Sequence, residues 1–327
     1  MSIKITPQTI LSALSISFFG AGLFGMGSVA FADGWDPTSK ATNIGSIANT
    51  RHDLSLSYNP DANSFMDLAR NNYGQVCVYC HTPHGANTQI NAPLWNRTIS
   101  NSSDYVIYDR PTTLGLEGRM NLPGPSSLTC LSCHDGTIAI DSVLNMPGSG
   151  RAGGDEIGTG VVNEVFLDQW TNAGGAGSGS HFALGPELAA DGSIVGCNLC
   201  HGGSGIAPDF SAFMLGTNLR NDHIVGVTFP TTFGPGVDYN EPEVVIPGRW
   251  SFFDDNGNGL AEKNEVRMYD SGAGPAVECA SCHDPHGIPS NGPGSEFIPS
   301  FLRISNSTAN SNGIGGPSGL CLTCHTK

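Results

Sequence analysis

The chain has 327 residues, with 14 Lys and Arg against 29 Asp and Glu, a formal net charge of −15. Nucleic-acid binding asks for the opposite sign, so that class is set aside. Charged residues make up only 13%, about half the ~25% usual in globular domains, and 44 Gly with 21 Pro predict a loop-rich chain.

In chain order, residues 1–32 carry one charge, Lys4, and then an apolar Gly/Ser-rich run ending Ala30-Phe31-Ala32. A basic start, an apolar stretch and a small-x-small end predict a secretory signal peptide. An uncleaved anchor is the alternative, since the apolar stretch is long. Cys77 is the first cysteine, which disfavours a lipoprotein. No later run approaches the ~18 apolar residues of a membrane span. An exported protein without a membrane span after signal removal is expected.

All 10 cysteines fall in C-x-x-C-H motifs: Cys77/Cys80/His81, Cys130/Cys133/His134, Cys197/Cys200/His201, Cys279/Cys282/His283 and Cys321/Cys324/His325. This is the c-type haem attachment signature. Both thiols add to the haem vinyl groups, and the adjacent His becomes the proximal iron ligand. Zinc ribbons would pair C-x-x-C units into four-ligand sites, and five units do not pair. A disulfide scaffold has no need of His after every second Cys. Five covalent haems are therefore expected. Their apolar plates would form the core of a mostly irregular, coil-rich multihaem fold with short helices and a few short strands. Helical turns are expected after each motif, and strands at DYVIY (104–108) and EVVIP (243–247).

Five histidines remain: His52, His84, His181, His223 and His286. Five irons needing a distal ligand match five spare histidines, which predicts bis-histidine ligation throughout. His84 and His286 recur in one frame, C-x-x-C-H-x-P-H-G. His181 (HFALG) and His223 (HIVG) each precede apolar residues and a Gly. Proximal and distal ligands approach an iron from opposite faces. Three residues span at most roughly 10 Å and Pro83 stiffens the path, so His84 should serve a haem other than that of His81.

The long motifs also head a repeat. CVYCHTPHG is followed by PLWNRTISNSS (93–103) and GPSSLTCLSCH (124–134). CASCHDPHG is followed by PSFLRISNST (299–308) and GPSGLCLTCH (316–325). Three blocks in one order argue duplication. They predict dihaem modules at 33–140 and 218–327 around a single-haem insert at 141–217. The symmetric assignment pairs His84 with His134 and His286 with His325. His52 and His223 would then serve the haems of His81 and His283, in this chain or a neighbour, with His181 left for the insert. Arg97 and Arg303, equivalent in this alignment, are candidates for haem propionates or solvent. The sequons at Asn96, Asn101 and Asn306 read as polar loops.

Residues 254–265, DDNGNGLAEKNE, match D-x-[DN]-x-[DN]-G-x5-E. Asp254, Asn256, Asn258, the Leu260 carbonyl and Glu265 are candidate Ca²⁺ ligands, with Gly259 making the turn. An ion-free Asp/Asn/Gly turn is the alternative.

From RHDLS (51–55) to CVYCHTPHGA, and across the five motifs, the chain resembles multihaem c-type cytochromes of dissimilatory metal-reducing bacteria. It is also similar to outer-surface cytochromes that polymerise into conductive filaments, the cytochrome nanowires. The resemblance implies a continuous stack of bis-His haems and a homopolymer in which a histidine near the mature N-terminus ligates a haem of the next subunit. His52 sits where such a donor would be. It implies other redox cytochromes and extracellular acceptors such as metal oxides as partners, and a place outside the cell. The function expected is electron transfer rather than catalysis. A monomeric periplasmic shuttle, a reductase with an open haem, and a surface-layer subunit whose haems only staple the fold remain as alternatives.

Overall fold

The computed structural model describes residues 47, 50–55, 70, 73–108, 121–146, 182–185, 187–188, 194–195, 197, 201–202, 209, 211–222, 224–270, 274–287, 298–306 and 316–326. The signal-like segment 1–32, His181, Cys200 and His223 lie outside them. Among the described residues no helix is long and apolar enough to cross a membrane.

Helices are short and run into the motifs rather than following them: α1 (Pro125–His134), α2 (Cys279–Cys282) and α3 (Gly319–Cys324). Pro125 starts α1 at a position where its missing N–H is harmless. A two-stranded hairpin pairs β1 (Glu187–Leu188) with β2 (Ile194–Val195). The larger sheet holds β3 (Val227–Thr228), β4 (Val244–Ile246), β5 (Trp250–Phe252), β6 (Arg267–Asp270) and β7 (Pro275–Val277). It is antiparallel, in the order β3-β7-β6-β5-β4. β-Branched and aromatic residues suit these strands. Pro247 and Gly248 (φ 73°) make the β4–β5 corner, with Arg249 N–H donating to Ile246 O at 3.1 Å. That is the Pro-Gly pattern of a type II turn. β4 falls inside the 243–247 stretch. Residues 104–108, expected as a strand, instead make one bridge, Val106 to Asn218, because Ser102–Asp104 is a 3₁₀ turn.

Three small apolar clusters replace one large core. Phe229, Tyr239, Phe253, Val266 and Met268 pack beneath the large sheet. Trp95, Tyr105, Leu128, Leu131 and Leu219 surround α1. Tyr73, Val78, Tyr79 and Val143 lie beside the first motif.

The two long motifs build the same ladder. Thr82 N–H donates to Leu94 O (2.9 Å) and Asn96 N–H to Cys80 O (2.9 Å). Asp284 N–H donates to Phe301 O and Arg303 N–H to Cys282 O, both at 2.8 Å. Leu94 (φ 52°) and Phe301 (φ 58°) take the same left-handed backbone. This register is one residue off the sequence alignment. Arg303 stands where Asn96 stands, so Arg97 and Arg303 are not equivalent. Neither is solvated.

Arg97 is fully buried and all its N–H groups are used. It donates to the carbonyls of Ile140, Ser142, Ser132 and Ala139, each at 2.8 Å, and to Ser132 Oγ at 3.3 Å. It thereby ties the chain after the second motif to the loop after the first. Replacing it takes a donor from four buried carbonyls, of which Ala139 O keeps a backbone donor, the Ser142 N–H. Arg97→Met should therefore lower stability by about 3–5 kcal/mol, the usual cost of breaking a buried charged network, measured by thermal unfolding.

Candidate metal centres

Each C-x-x-C-H closes one turn. The His N–H donates to the first Cys carbonyl in four motifs: His81 to Cys77 (2.8 Å), His201 to Cys197 (2.9 Å), His283 to Cys279 (3.0 Å) and His325 to Cys321 (2.9 Å). The fifth motif lies within α1. Residues three apart on such a turn share a face, so two thiols and an imidazole project together. The nine described cysteines are free thiols.

The imidazoles are held by their Nδ1 atoms. His81 bonds Pro93 O (2.8 Å), His134 bonds Phe213 O (2.8 Å) and His283 bonds Ser300 O (2.6 Å). His52 bonds Pro285 O (3.0 Å), and His286 Nδ1 lies 3.1 Å from Asp284 Oδ1. Fixing Nδ1 in this way leaves Nε2 as the free donor, the arrangement typical of metal-bound histidine.

Among the described residues, no three His, Cys, Asp or Glu side chains form a ready metal cage. The rings instead face one another in pairs. His81 and His286 have centroids 6.2 Å apart with planes at 10°. His52 and His134 are also 6.2 Å apart, at 74°. Two imidazoles on opposite sides of one metal, each bonded at about 2 Å, have ring centres roughly 6.3 Å apart. Both pairs have that spacing.

His52 also stacks on Phe301 at 4.2 Å. Burial, then the neighbouring His134, pushes its pKa down to about 4. Burial likewise lowers that of His134. Both rings are then neutral near pH 7, as metal ligation requires. Trp95 packs edge-on to His81 at 5.9 Å and keeps a buried indole N–H without a partner, a donor available to a cofactor carboxylate. These features fit a haem.

The pairs differ from the symmetric assignment. His134 faces His52, not His84, and His286 faces His81, not His325. His84 is exposed, and its side chain makes no hydrogen bond, ion pair or ring contact among the described residues. The His52 ring, for which a haem of its own chain or of a neighbour was left open, stacks on Phe301 and bonds Pro285 O within its own chain. The reason is packing between modules, which a linear alignment does not carry.

The motifs also lie side by side. The thiols of Cys80 and Cys133, of Cys130 and Cys279, and of Cys282 and Cys321 are near enough to shift one another's acidity. Glu278 makes the central contact. Its carboxylate accepts from Gly124 N–H (3.1 Å to each oxygen) and from Ser127 Oγ–H, capping α1 from the neighbouring motif. Ser127 Oγ in turn accepts from Cys279 N–H at 2.9 Å. A Cβ on Gly124 would meet Glu278 Oε1 at 2.4 Å, so only glycine admits this contact. Glu278 lies just before a motif but gave no sequence signal.

The calcium-like loop forms the tip of the β5–β6 hairpin. Asp254, Asn256, Asn258 and Leu260 lie along it, and Glu265 is buried at its base. Glu262, the ninth loop position, was not among the expected ligands. Its carboxylate accepts from the side-chain amides of Asn256 (2.7 Å) and Asn258 (3.2 Å). Position nine of the motif is the signal that would have found it.

No family model matches the chain, and no curated protein matches it.

Burial raises the pKa of Glu278 above the ordinary glutamate value. Its stabilising effect is thus full below the unfolded pKa of about 4.3 and lost as pH rises through the higher folded value. Against pH, the stability difference between the parent and Glu278→Gln should shift in the parent's favour on acidification across that window. Chemical denaturation at several pH values measures it.

Proposed function

We propose that the chain is a multihaem c-type cytochrome that passes electrons along a row of bis-histidine haems. The observation that carries this is the pairing of motif and spare histidines at the separation one shared metal requires, His81 with His286 and His52 with His134. When bound, each haem iron supplies a one-electron redox change. The cysteine pairs would hold the macrocycles, the motif histidines and their partners would ligate the irons, and the backbone carbonyls at Nδ1 orient the rings.

The nearness of four motifs to one another gives a row that follows their order in the chain. Cys77/Cys80 adjoins Cys130/Cys133, which adjoins Cys279/Cys282, which adjoins Cys321/Cys324. Two closed irons favour transfer over catalysis at those positions, since a reductase needs an open face.

We also propose assembly into an extracellular filament, with His84 in place of His52 as the ligand offered to another copy. His84 shares its frame with His286, whose ring reaches across to the other module. Unlike His286, it has no partner ring among the described residues.

In the oxidised haem-loaded protein, His286→Ala and His52→Ala should each turn one haem of five high-spin in the EPR spectrum. Five low-spin haems in both variants would refute the pairing. Electron microscopy of secreted material should show filaments for the parent and haem-replete monomers for His84→Ala. Filaments unchanged in that variant would remove His84 from the interface.

A further inference from the structure

The β5–β6 tip carries chemistry that the electron relay does not use. Phe253 N–H donates to Val266 O at 3.0 Å and closes its neck. Gly257 (φ 70°) and Gly259 (φ 74°) allow the tight path between. Asp254 accepts from the N–H groups of Asn258 (3.1 Å) and Gly259 (2.7 Å). Asn256 Oδ1 accepts from Asn258 N–H (3.0 Å), and Asn258 Oδ1 from Leu260 N–H (2.7 Å). Each of these oxygens retains a lone pair.

Glu265 is the independent observation. It is 0% exposed, one oxygen accepts from Glu262 N–H at 2.8 Å, and Oε1 has no partner. The carboxylates of Asp254, Glu262 and Asp255 lie near enough to act on it with like charge. Arg267 lies close, yet it donates to the main-chain carbonyls of Glu262 and Glu265 and not to the carboxylates. A buried, half-satisfied carboxylate among like charges is destabilising. A cation held by oxygens removes both penalties.

We propose that this loop binds Ca²⁺ through Asp254, Asn256, Asn258, the Leu260 carbonyl, Glu262 and a bidentate Glu265. The carboxylates do not yet meet at one point, so binding draws Asp254 and Glu262 in towards Glu265. A set with a bidentate carboxylate exceeds octahedral geometry and selects Ca²⁺ over Mg²⁺. The ion would also brace the fourth motif. Arg303 donates to Lys263 O in the loop (2.6 Å) and to Ala280 O inside the Cys279/Cys282 turn (3.0 Å).

The test uses the full haem-loaded chain, stripped with a chelator and titrated with CaCl₂ in equilibrium dialysis. One Ca²⁺ per chain is expected, with Kd in the ~10⁻⁴–10⁻³ M range of extracellular loops and no competition from equal Mg²⁺. Glu265→Gln and the half-buried Asp254→Asn should each weaken binding at least about tenfold, with the haem absorption spectrum unchanged as the check on folding. No saturable uptake up to about 10 mM, equal competition by Mg²⁺, or unchanged binding in either folded variant overturns the site.

Discussion

The structure depends on how imidazole rings are held, with Nδ1 tied to a backbone carbonyl or carboxylate. The carbonyls of Pro93, Phe213, Ser300 and Pro285 do this at four rings. Pro93 and Ser300 lie 12 and 17 residues beyond their rings and Phe213 and Pro285 lie 79 and 233 away, so a correctly aimed ring requires the surrounding loops to be in place. The loops in turn have little of their own to bury. Three small clusters carry the apolar packing among the described residues, and the proposed haems would supply the rest. Ligation and folding are then one process.

Around this, two buried charges join segments that no regular element connects. Arg97 collects the carbonyls after the second motif. Glu278 reaches from the fourth motif to cap the helix of the second. Because Ser127 and Cys279 share that contact, the second and fourth motifs are locked together, although 149 residues separate Cys130 from Cys279. The electron path proposed here follows from that lock.

The sequence shows the motif residues plainly, because C-x-x-C-H binds both thiols and ring into one local turn. The spare histidines were also legible as a set. Which ring lies beside which was not, because that is a long-range property. His52 reaches His134 only through a surface that includes Pro285 and Phe301 of the other module. The repeat was visible, but its register slipped by one residue. Letters aligned Arg97 with Arg303, whereas the backbone ladder aligns Asn96 with Arg303. The five-stranded sheet was seen only at 243–247, since strands of two to four residues carry too little periodicity to read. Glu278 looks like any polar residue until the module contact buries it.

A cryo-EM map of the secreted, haem-loaded protein tests the ring pairing most directly. It should show His81 and His286 on opposite faces of one haem iron, and His52 and His134 of the same chain on opposite faces of another. His84 bound to the iron of His134, or His286 bound to the iron of His325, would contradict it.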